Sequence, residues 1–357
     1  MTLTAAETKN LLGLDRDELE RLAKDADQPR YRGRQIFHGI YARRETDFKT
    51  FTDLDKKFRD FLSARYSISL PQIEREFRSR DGSIRFLLRL DDGQSVEAVF
   101  MPEGNRTTLC ISSQVGCAVD CRFCFTGLLG VKRNLTAGEI VGQVLTLTEA
   151  RQIPRETALN VVLMGMGEPL LNFGPVMKAI RILAHPDGVR LAPRRITLST
   201  AGIVPRIYDL AREPVRPRLA VSLNAATDEQ RTALMPVNRK YPLEALLRAC
   251  REYPLRPRER LTFEYVLLEG VNDSDQDALR LAELLRDLRA KVNLIPFNTG
   301  PQLSFRAPCL ERVLAFQQLL GDRNVPAFIR ISRGQDVMGA CGQLSLAGST
   351  QLPGGGA

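Results

Sequence analysis

From about residue 107 onward the chain alternates short β-forming runs with helical ones, and this alternation restricts its fold more than any other feature. Candidate strands cover residues 107–112, 159–164, 196–200, 219–223, 261–268, 292–297 and 328–332. Helical stretches lie between them, for example 137–151, 175–183, 243–252 and 274–289. Strands separated by helices pair in parallel, because each crossover returns the chain to the same end of the sheet, and the helices then cover it. Periodicity does not fix whether such a sheet closes into a full or partial barrel. If it curls, ligands belong at the C-terminal ends of its strands.

Upstream, residues 1–75 read as helices. Asp15 caps a segment with Leu19 and Leu22 inward, and residues 33–41 set Ile36, Phe37 and Ile40 on one face. Thr52 or Asp53 caps a third helix carrying Leu54, Phe58, Phe61 and Leu62, and Pro71 ends the block. "SIRFLLRLDDGQSVEAVF" then reads as two strands about an Asp-Gly turn. Its alternation sets Val96, Ala98 and Phe100 on one face with Glu97 and Val99 on the other. A glutamate there either faces solvent or, in a closed site, serves as a general base. The Gly/Ser/Pro-rich composition of 346–357 is that of a flexible tail. The expected organisation is a helical accessory domain over 1–75, a hairpin extension carrying Glu97 over 76–106, a core over 107–345, and the tail.

Cys117, Cys121 and Cys124 follow the first core strand with C-x3-C-x2-C spacing. Thiolates so placed suit an iron–sulfur cluster, and three ligands on a four-iron cluster leave one iron open to bind something else. Phe123 and Phe125, interleaved with the ligands, would shield it from water. The alternative is structural zinc with Cys110 as fourth ligand, although zinc sites usually show two short cysteine pairs and no second pair is present. Cys250 and Cys309 lie in helical surroundings and read as packing residues. Cys110, on the strand entering the loop, and Cys341, flanked by Gly339 and Gly342, read either as buried small residues or as thiols serving the site. Clustered cysteines and the absence of an apolar leader argue against a disulfide framework and for the cytoplasm.

Several later strands end in groups that suit a ligand with amino, carboxylate and ribose parts. "VVLMGMGEP" places Gly165, Gly167 and Glu168 after a buried strand, and Ser199, then Ser222 with Asn224, then Asn298 stand at three further strand ends. Each alone is an ordinary turn residue; the shared placement is the signal. The chain carries a net charge of +9, with ten basic against five acidic residues over 28–66 and seven against two over 189–218. No run is long and apolar enough for a membrane span, so these regions point to a polyanion such as nucleic acid, or to a solvated basic face.

"CISSQVGCAVDCRFC", "MGMGEPLLN", "ITLSTAGI", "RTALMPVNRKYPL" and "ACGQL" together resemble, in order and from about residue 30 to 345, the radical S-adenosylmethionine (SAM) adenine-C2 methyltransferases of 23S ribosomal RNA and transfer RNA. The resemblance implies an α/β fold: a radical SAM partial (β/α)6 barrel with an N-terminal helical accessory domain whose basic helices grip RNA. It implies a 4Fe–4S cluster on Cys117, Cys121 and Cys124, and SAM held by Gly167, Glu168, Ser199, Ser222, Leu223, Asn224 and Asn298. Cys341 would take a methyl group from one SAM, and a 5′-deoxyadenosyl radical from a second would activate it for addition to the ring. Glu97 would remove the ring proton, and Cys110 would attack the Cys341 sulfur to release product through a transient disulfide. The implied partners are 23S rRNA, tRNA and an electron donor such as flavodoxin or ferredoxin, for a cytoplasmic monomer that does not enter the membrane.

The chain departs from the family pattern where Asn224 replaces the usual His of "SLHA", where Thr-Gly-Pro follows Asn298, and where an acidic pair is missing before Cys341. Close relatives methylate C8 of the same ribosomal adenine with the same cysteines; "LMPVNRKYPL" leans toward C2. Two further readings are a cysteine–metal RNA-binding protein without chemistry, and a radical SAM enzyme for a small molecule, which would not need the Cys110/Cys341 pair.

Overall fold

A computed structural model describes residues 8–154, 157–300 and 303–346; of the tail read at 346–357, all but Leu346 lies outside the described residues. The N-terminal module follows its apolar spacing. Asp15 opens the helix Arg16–Asp25 with a capping box, its carboxylate accepting the Glu18 N–H while Glu18 accepts the Asp15 N–H. The helix Tyr31–His38 continues as a π-turn over Gly39–Arg43. The third helix, Lys56–Arg65, is capped by Asp55 and not by Thr52 or Asp53, which lie in a turn closed by the Leu54 N–H on the Phe51 carbonyl (2.9 Å). Strands β1 (Lys9–Asn10) and β2 (Tyr66–Ser67) pair in parallel and tie the ends of the module together. Buried Glu20 receives Arg16, Arg30 and Arg34, so part of the basic excess of this region is neutralised internally.

One sheet dominates the rest. It begins with β3 (Gln72–Arg78), β4 (Ile84–Arg89), β5 (Ser95–Glu103) and β6 (Arg106–Cys110), joined antiparallel. The β4–β5 hairpin is the one read from the Asp-Gly turn, whereas β3, a charged and largely exposed edge strand, was not anticipated. A small ribbon, β7 (Gln114–Gly116) with β8 (Val131–Asn134), brackets the cysteine loop. The sheet resumes with β9 (Ala158–Leu163), β10 (Ile196–Thr200), β11 (Arg218–Ser222), β12 (Leu261–Leu267), β13 (Ala290–Pro296) and β14 (Ala327–Ile329), each parallel to its neighbour. Spatial order runs β3, β4, β5, β6, β9, β10, β11, β12, β13, β14, which is also chain order.

Alternation along these strands separates a dry face from a wet one. Val161, Ile196, Leu198, Val292 and Leu294 are buried and share one apolar core with helix residues such as Val144, Ile180, Ile207 and Leu246. The residues between them, including Thr108, Val162, Thr197, Thr262, Lys291 and Asn293, are only half-buried and line a cavity of about 460 Å³. The sheet therefore curls into a hollow partial barrel, unlike the filled interior of a complete eight-stranded one.

The segment after β14 bridges the ends of the sheet. Arg333 donates to the carbonyls of Asp81 (3.2 Å) and Pro102 (3.0 Å), and the Gly334 N–H donates to the Asp81 carboxylate (2.9 Å). Asp336 accepts from the Ser79 hydroxyl (2.6 Å) and the Arg80 N–H (3.1 Å), while Arg85 donates to the Val337 carbonyl (2.7 Å). The last strand is thus strapped to the first hairpin. Cys250 is buried as its helix implies, but Cys309 is exposed just before the helix Leu310–Asp322 and packs against no core.

The N-terminal module meets the barrel at two glycines. A Cβ on Gly13 (φ +92°) would lie 2.3 Å from Gly138 N, and one on Gly138 would lie 2.3 Å from the Leu12 carbonyl oxygen. Backbone, not a flexible side chain, would have to move. Gly138→Ala is expected to cost about 1–3 kcal/mol, read as a lower midpoint in thermal unfolding; an unchanged midpoint would show that this junction is not close-packed in solution.

Candidate active site

The cysteine loop hangs between the β7–β8 ribbon and the C-terminal strand ends. Cys117, Cys121 and Cys124 are half-buried and pack against Val119, Phe123, Met235 and Phe297. They share one pocket with Gly167, Glu168, Ser199, Ser222, Asn224 and Asn298. Burial raises all three thiols; Cys124 and Glu168 push Cys117 further, to about 12, and Cys124 and Cys117 add to the rise at Cys121. Ligation by iron would reverse this, since a bound metal stabilises the thiolate. Among the described residues no three His, Cys, Asp or Glu side chains close around the position of a single ion. Three thiolates on one loop suit an iron–sulfur cube, in which each binds its own iron and one iron stays open.

Glu168 is buried beside this loop. Its oxygens accept the N–H groups of Leu170 (3.0 Å) and Ala201 (2.7 Å), and burial pushes its pKa up to about 7 against those donors. Gly167 precedes it at φ +102°, where a Cβ would stand 2.7 Å from the Gln114 backbone nitrogen. Only glycine lets these two segments approach so closely. The Ser199 and Ser222 hydroxyls lie 3.4 Å apart at neighbouring strand ends.

The remaining residues read from sequence divide into two groups. Asn298 lines the pocket and holds the strap: its amide donates to the Cys341 carbonyl (3.0 Å), and its oxygen accepts from Gln335 (2.6 Å). Asn224 lines the pocket in a left-handed conformation (φ +59°), but its amide is already occupied, accepting from Val266 N–H (2.9 Å) and donating to the Met235 sulfur (3.2 Å). The Leu223 side chain is buried in the main apolar core and does not line the pocket.

Cys110 and Cys341 both line the barrel cavity, and Cys341 lines the cluster pocket as well. Burial raises the Cys110 thiol, and the neighbouring Cys341 raises it further. Cys341 presents surface to the open cavity, yet the surrounding walls push its thiol up to about 11, with the negative fields of Glu264 and Cys124 adding to the rise. Glu97 is fully buried and lines neither cavity. Its carboxylate pairs with the equally buried Arg85 and accepts the Ser345 N–H at 2.9 Å. Burial raises its pKa, and Arg85 opposes the rise. The strap that carries Cys341 therefore also covers Glu97.

Two site residues were not read from the sequence. Arg231, inside the motif "RTALMPVN", is completely buried and donates to the carbonyls of Ala201 (2.7 Å), Leu223 (3.1 Å) and Ser222 (3.3 Å) and to Asn238 Oδ1 (2.9 Å). It locks the two strand ends that present the serines. Glu264, in the middle of "LTFEYVL", lines both cavities. A lone carboxylate in an apolar run was its signal.

Comparison with known proteins bears on the whole chain. It is 50% identical over 343 residues to the probable dual-specificity RNA methyltransferase RlmN of Koribacter versatilis, covering 91% of this chain and 97% of that one. The chain belongs to the radical SAM RNA methyltransferases. A second relative, the dual-specificity RNA methyltransferase RlmN of Geobacter sulfurreducens, is 50% identical across 94% of this chain and 91% of its own length. Residues 9–68 match the ribosomal RNA large subunit methyltransferase N-terminal domain, and residues 111–282 match the radical SAM superfamily. A crystal structure of a radical SAM methyltransferase from Sphaerobacter thermophilus superimposes with a TM-score of 0.89 at 47% identity, covering 94% of this chain and 99% of that one. Membership brings with it a 4Fe–4S cluster and SAM as cofactors. Among the described residues no helix is long and apolar enough to cross a membrane.

Replacing Arg231 by Met keeps volume but strands the carbonyls of Ala201, Ser222 and Leu223. The expected cost is at least about 3 kcal/mol, measured by denaturant unfolding; a loss below 1 kcal/mol on the same order-of-magnitude scale would mean water replaces the guanidinium.

Proposed function

We propose that this chain methylates carbon 2 of a target adenine in 23S ribosomal RNA and in transfer RNA, with the methyl group carried on Cys341. The observation that supports it most is the position of Cys341 on the wall shared by two cavities, beside Cys110 in one and the cluster cysteines in the other. RNA as substrate agrees with the names of the relatives. Adenine C2 is an electron-poor sp2 carbon and does not take a methyl group by simple displacement. Cys117, Cys121 and Cys124 would hold the 4Fe–4S cluster, which supplies the one-electron chemistry that opens SAM to a carbon radical.

The chain's own residues bind, carry and release. Glu168 takes the ammonium of SAM, Gly167 admits its amino-acid portion, and Ser199 and Ser222 offer hydroxyls to its polar groups. Leu223 and Asn224 support the site through backbone and packing, and Asn298 fixes the carrier loop. A Cys341 thiol raised to about 11 ionises readily only beside a positive charge, so it becomes a methyl acceptor when a sulfonium arrives and stays protonated otherwise. Once the base carbon is joined to the carrier, Glu97 takes the ring proton. Lifting the strap at Ser345 would free the Glu97 oxygen bonded there. Cys110 then attacks the Cys341 sulfur, and the S–C bond to the base breaks as the S–S bond forms. The freed carbon, which gave one hydrogen atom to the SAM-derived radical, takes up a proton to become the methyl group, the electron left over passes back to the electron carrier, and two electrons with two protons restore both thiols. The target base must leave its stack to reach this cavity. The reading includes a cytoplasmic monomer supplied with electrons by a flavodoxin or ferredoxin. The helical segment over 1–75, with the hairpin over 76–106, presents RNA to the core over 107–345.

Anaerobic turnover of the cluster-loaded protein with reductant, SAM and a 23S rRNA fragment tests this directly by nucleoside mass spectrometry. 2-Methyladenosine is expected from wild type and none from Cys341→Ala or Cys110→Ala. 8-Methyladenosine would reassign the position, and SAM cleavage without any methyladenosine would sink the substrate assignment. A second test follows from Glu168. Its pKa near 7 means that SAM affinity should strengthen as pH rises through neutrality and the carboxylate ionises. Glu168→Gln should bind SAM about tenfold more weakly and lose that pH dependence, as titration calorimetry would show.

A further inference from the structure

The cavity inside the barrel holds groups to which the reaction outlined above gives no role. Its walls combine apolar surface from Val162, Met164 and Ile295 with the cations Lys291 and Arg330, a mixture suited to a base bearing a phosphate. Into it projects one buried carboxyl group. Glu264 is 8% exposed, lines this cavity and the cluster pocket alike, and stands near enough to Cys341 for its charge to be felt at that thiol. Asn293 fixes it from the next strand, Nδ2 donating to Oε1 at 2.9 Å. Oε2 has no hydrogen-bond partner among the described residues. A carboxyl oxygen on the wall of a cavity can accept the donor that a ligand brings.

We propose that Glu264 is the residue that recognises the target base as adenine, its Oε2 accepting a hydrogen bond from the exocyclic amine. The proposal rests on the methyltransferase reading above. The amine is carried by the ring carbon two bonds from C2, so a base with C2 toward Cys341 brings it within reach of a group beside Cys341. Adenine offers N–H at that position, whereas guanine and hypoxanthine offer a carbonyl oxygen, which would face a carboxylate lone pair and be rejected. Burial raises the Glu264 pKa, while Asn293, Arg330 and Lys291 hold it down. Asn293 is a positioning residue here, and Glu264 touches the substrate.

The test uses an RNA stem-loop carrying either adenine or unsubstituted purine at the target position, with anaerobic equilibrium binding measured on the cluster-loaded protein. Wild type is expected to prefer adenine by about tenfold, the value of one hydrogen bond to a charged acceptor. That preference should fall to near unity in Glu264→Ala. It should shrink in Glu264→Gln, whose near-identical shape guards against misfolding. An undiminished preference in Glu264→Gln, or no preference in wild type, overturns the assignment. Methyladenosine formation by wild type is scored on the same samples. Adenine preference without methylation would refute the reaction and leave the base recognition standing; methylation without adenine preference would do the reverse.

Discussion

A parallel sheet covered by helices on one face must dispose of its other face, and that requirement governs this molecule. Closing the sheet completely would fill the interior with side chains. Here the sheet curls without closing on itself, and Thr108, Thr197, Thr262 and Asn293 stand in the space that a complete barrel would pack with branched aliphatics. Burying polar groups unpaired is expensive, so an interior of this composition is stable only if water or a ligand occupies it. The stability of the protein therefore resides between sheet and helices, in the continuous apolar core, and the lumen is left for chemistry.

Closure by hydrogen bonds instead of by strands has a further effect on the site. The strap is fixed through Asp81, Arg85, Asp336 and Asn298, contacts between polar side chains and backbone that water can replace. Such contacts are each worth little net free energy, whereas a tenth-to-first strand pairing would be a cooperative ladder. The carrier thiol thus rides on a segment held by separate side-chain contacts and by two hydrogen bonds from the end of the cysteine loop, the Phe125 N–H to the Gly342 carbonyl (2.8 Å) and the Thr126 hydroxyl to the Leu344 carbonyl (2.7 Å). Arg231 is fixed among the strand ends, since a guanidinium desolvated enough to bring its pKa down to about 10 stays only where carbonyls surround it.

Much of this was legible in the sequence because it is local. Strand and helix periods, the Asp15 cap, the Asp-Gly hairpin and the residues at strand ends each follow from neighbours in the chain, and the strand ends do converge on one pocket. Local reading ran out where partners are distant. The burial of Glu97 depends on Arg85 twelve residues away and on Ser345, 248 residues away, so alternation alone left its surroundings open. The capped orientation of Asn224 depends on Val266 and Met235, and the role of Arg231 on three carbonyls from two strands. Strand β3 escaped because five of its seven residues are polar, and an exposed edge shows no apolar stripe.

Because the strands lie side by side in the order in which they are synthesised, the sheet can grow by adding each new strand to the last as the chain leaves the ribosome, without waiting for distant partners. Cys341 emerges after every strand of that sheet is made. A nascent chain therefore builds its cluster loop, its glutamate and its hollow barrel before it possesses a methyl carrier, and the hydrogen bonds to Asp81 and Arg85 join the earliest-made strands to the latest-made residues. Assembly of the catalytic thiol and completion of the wall are one event, so a chain that ended short of the strap would lose both.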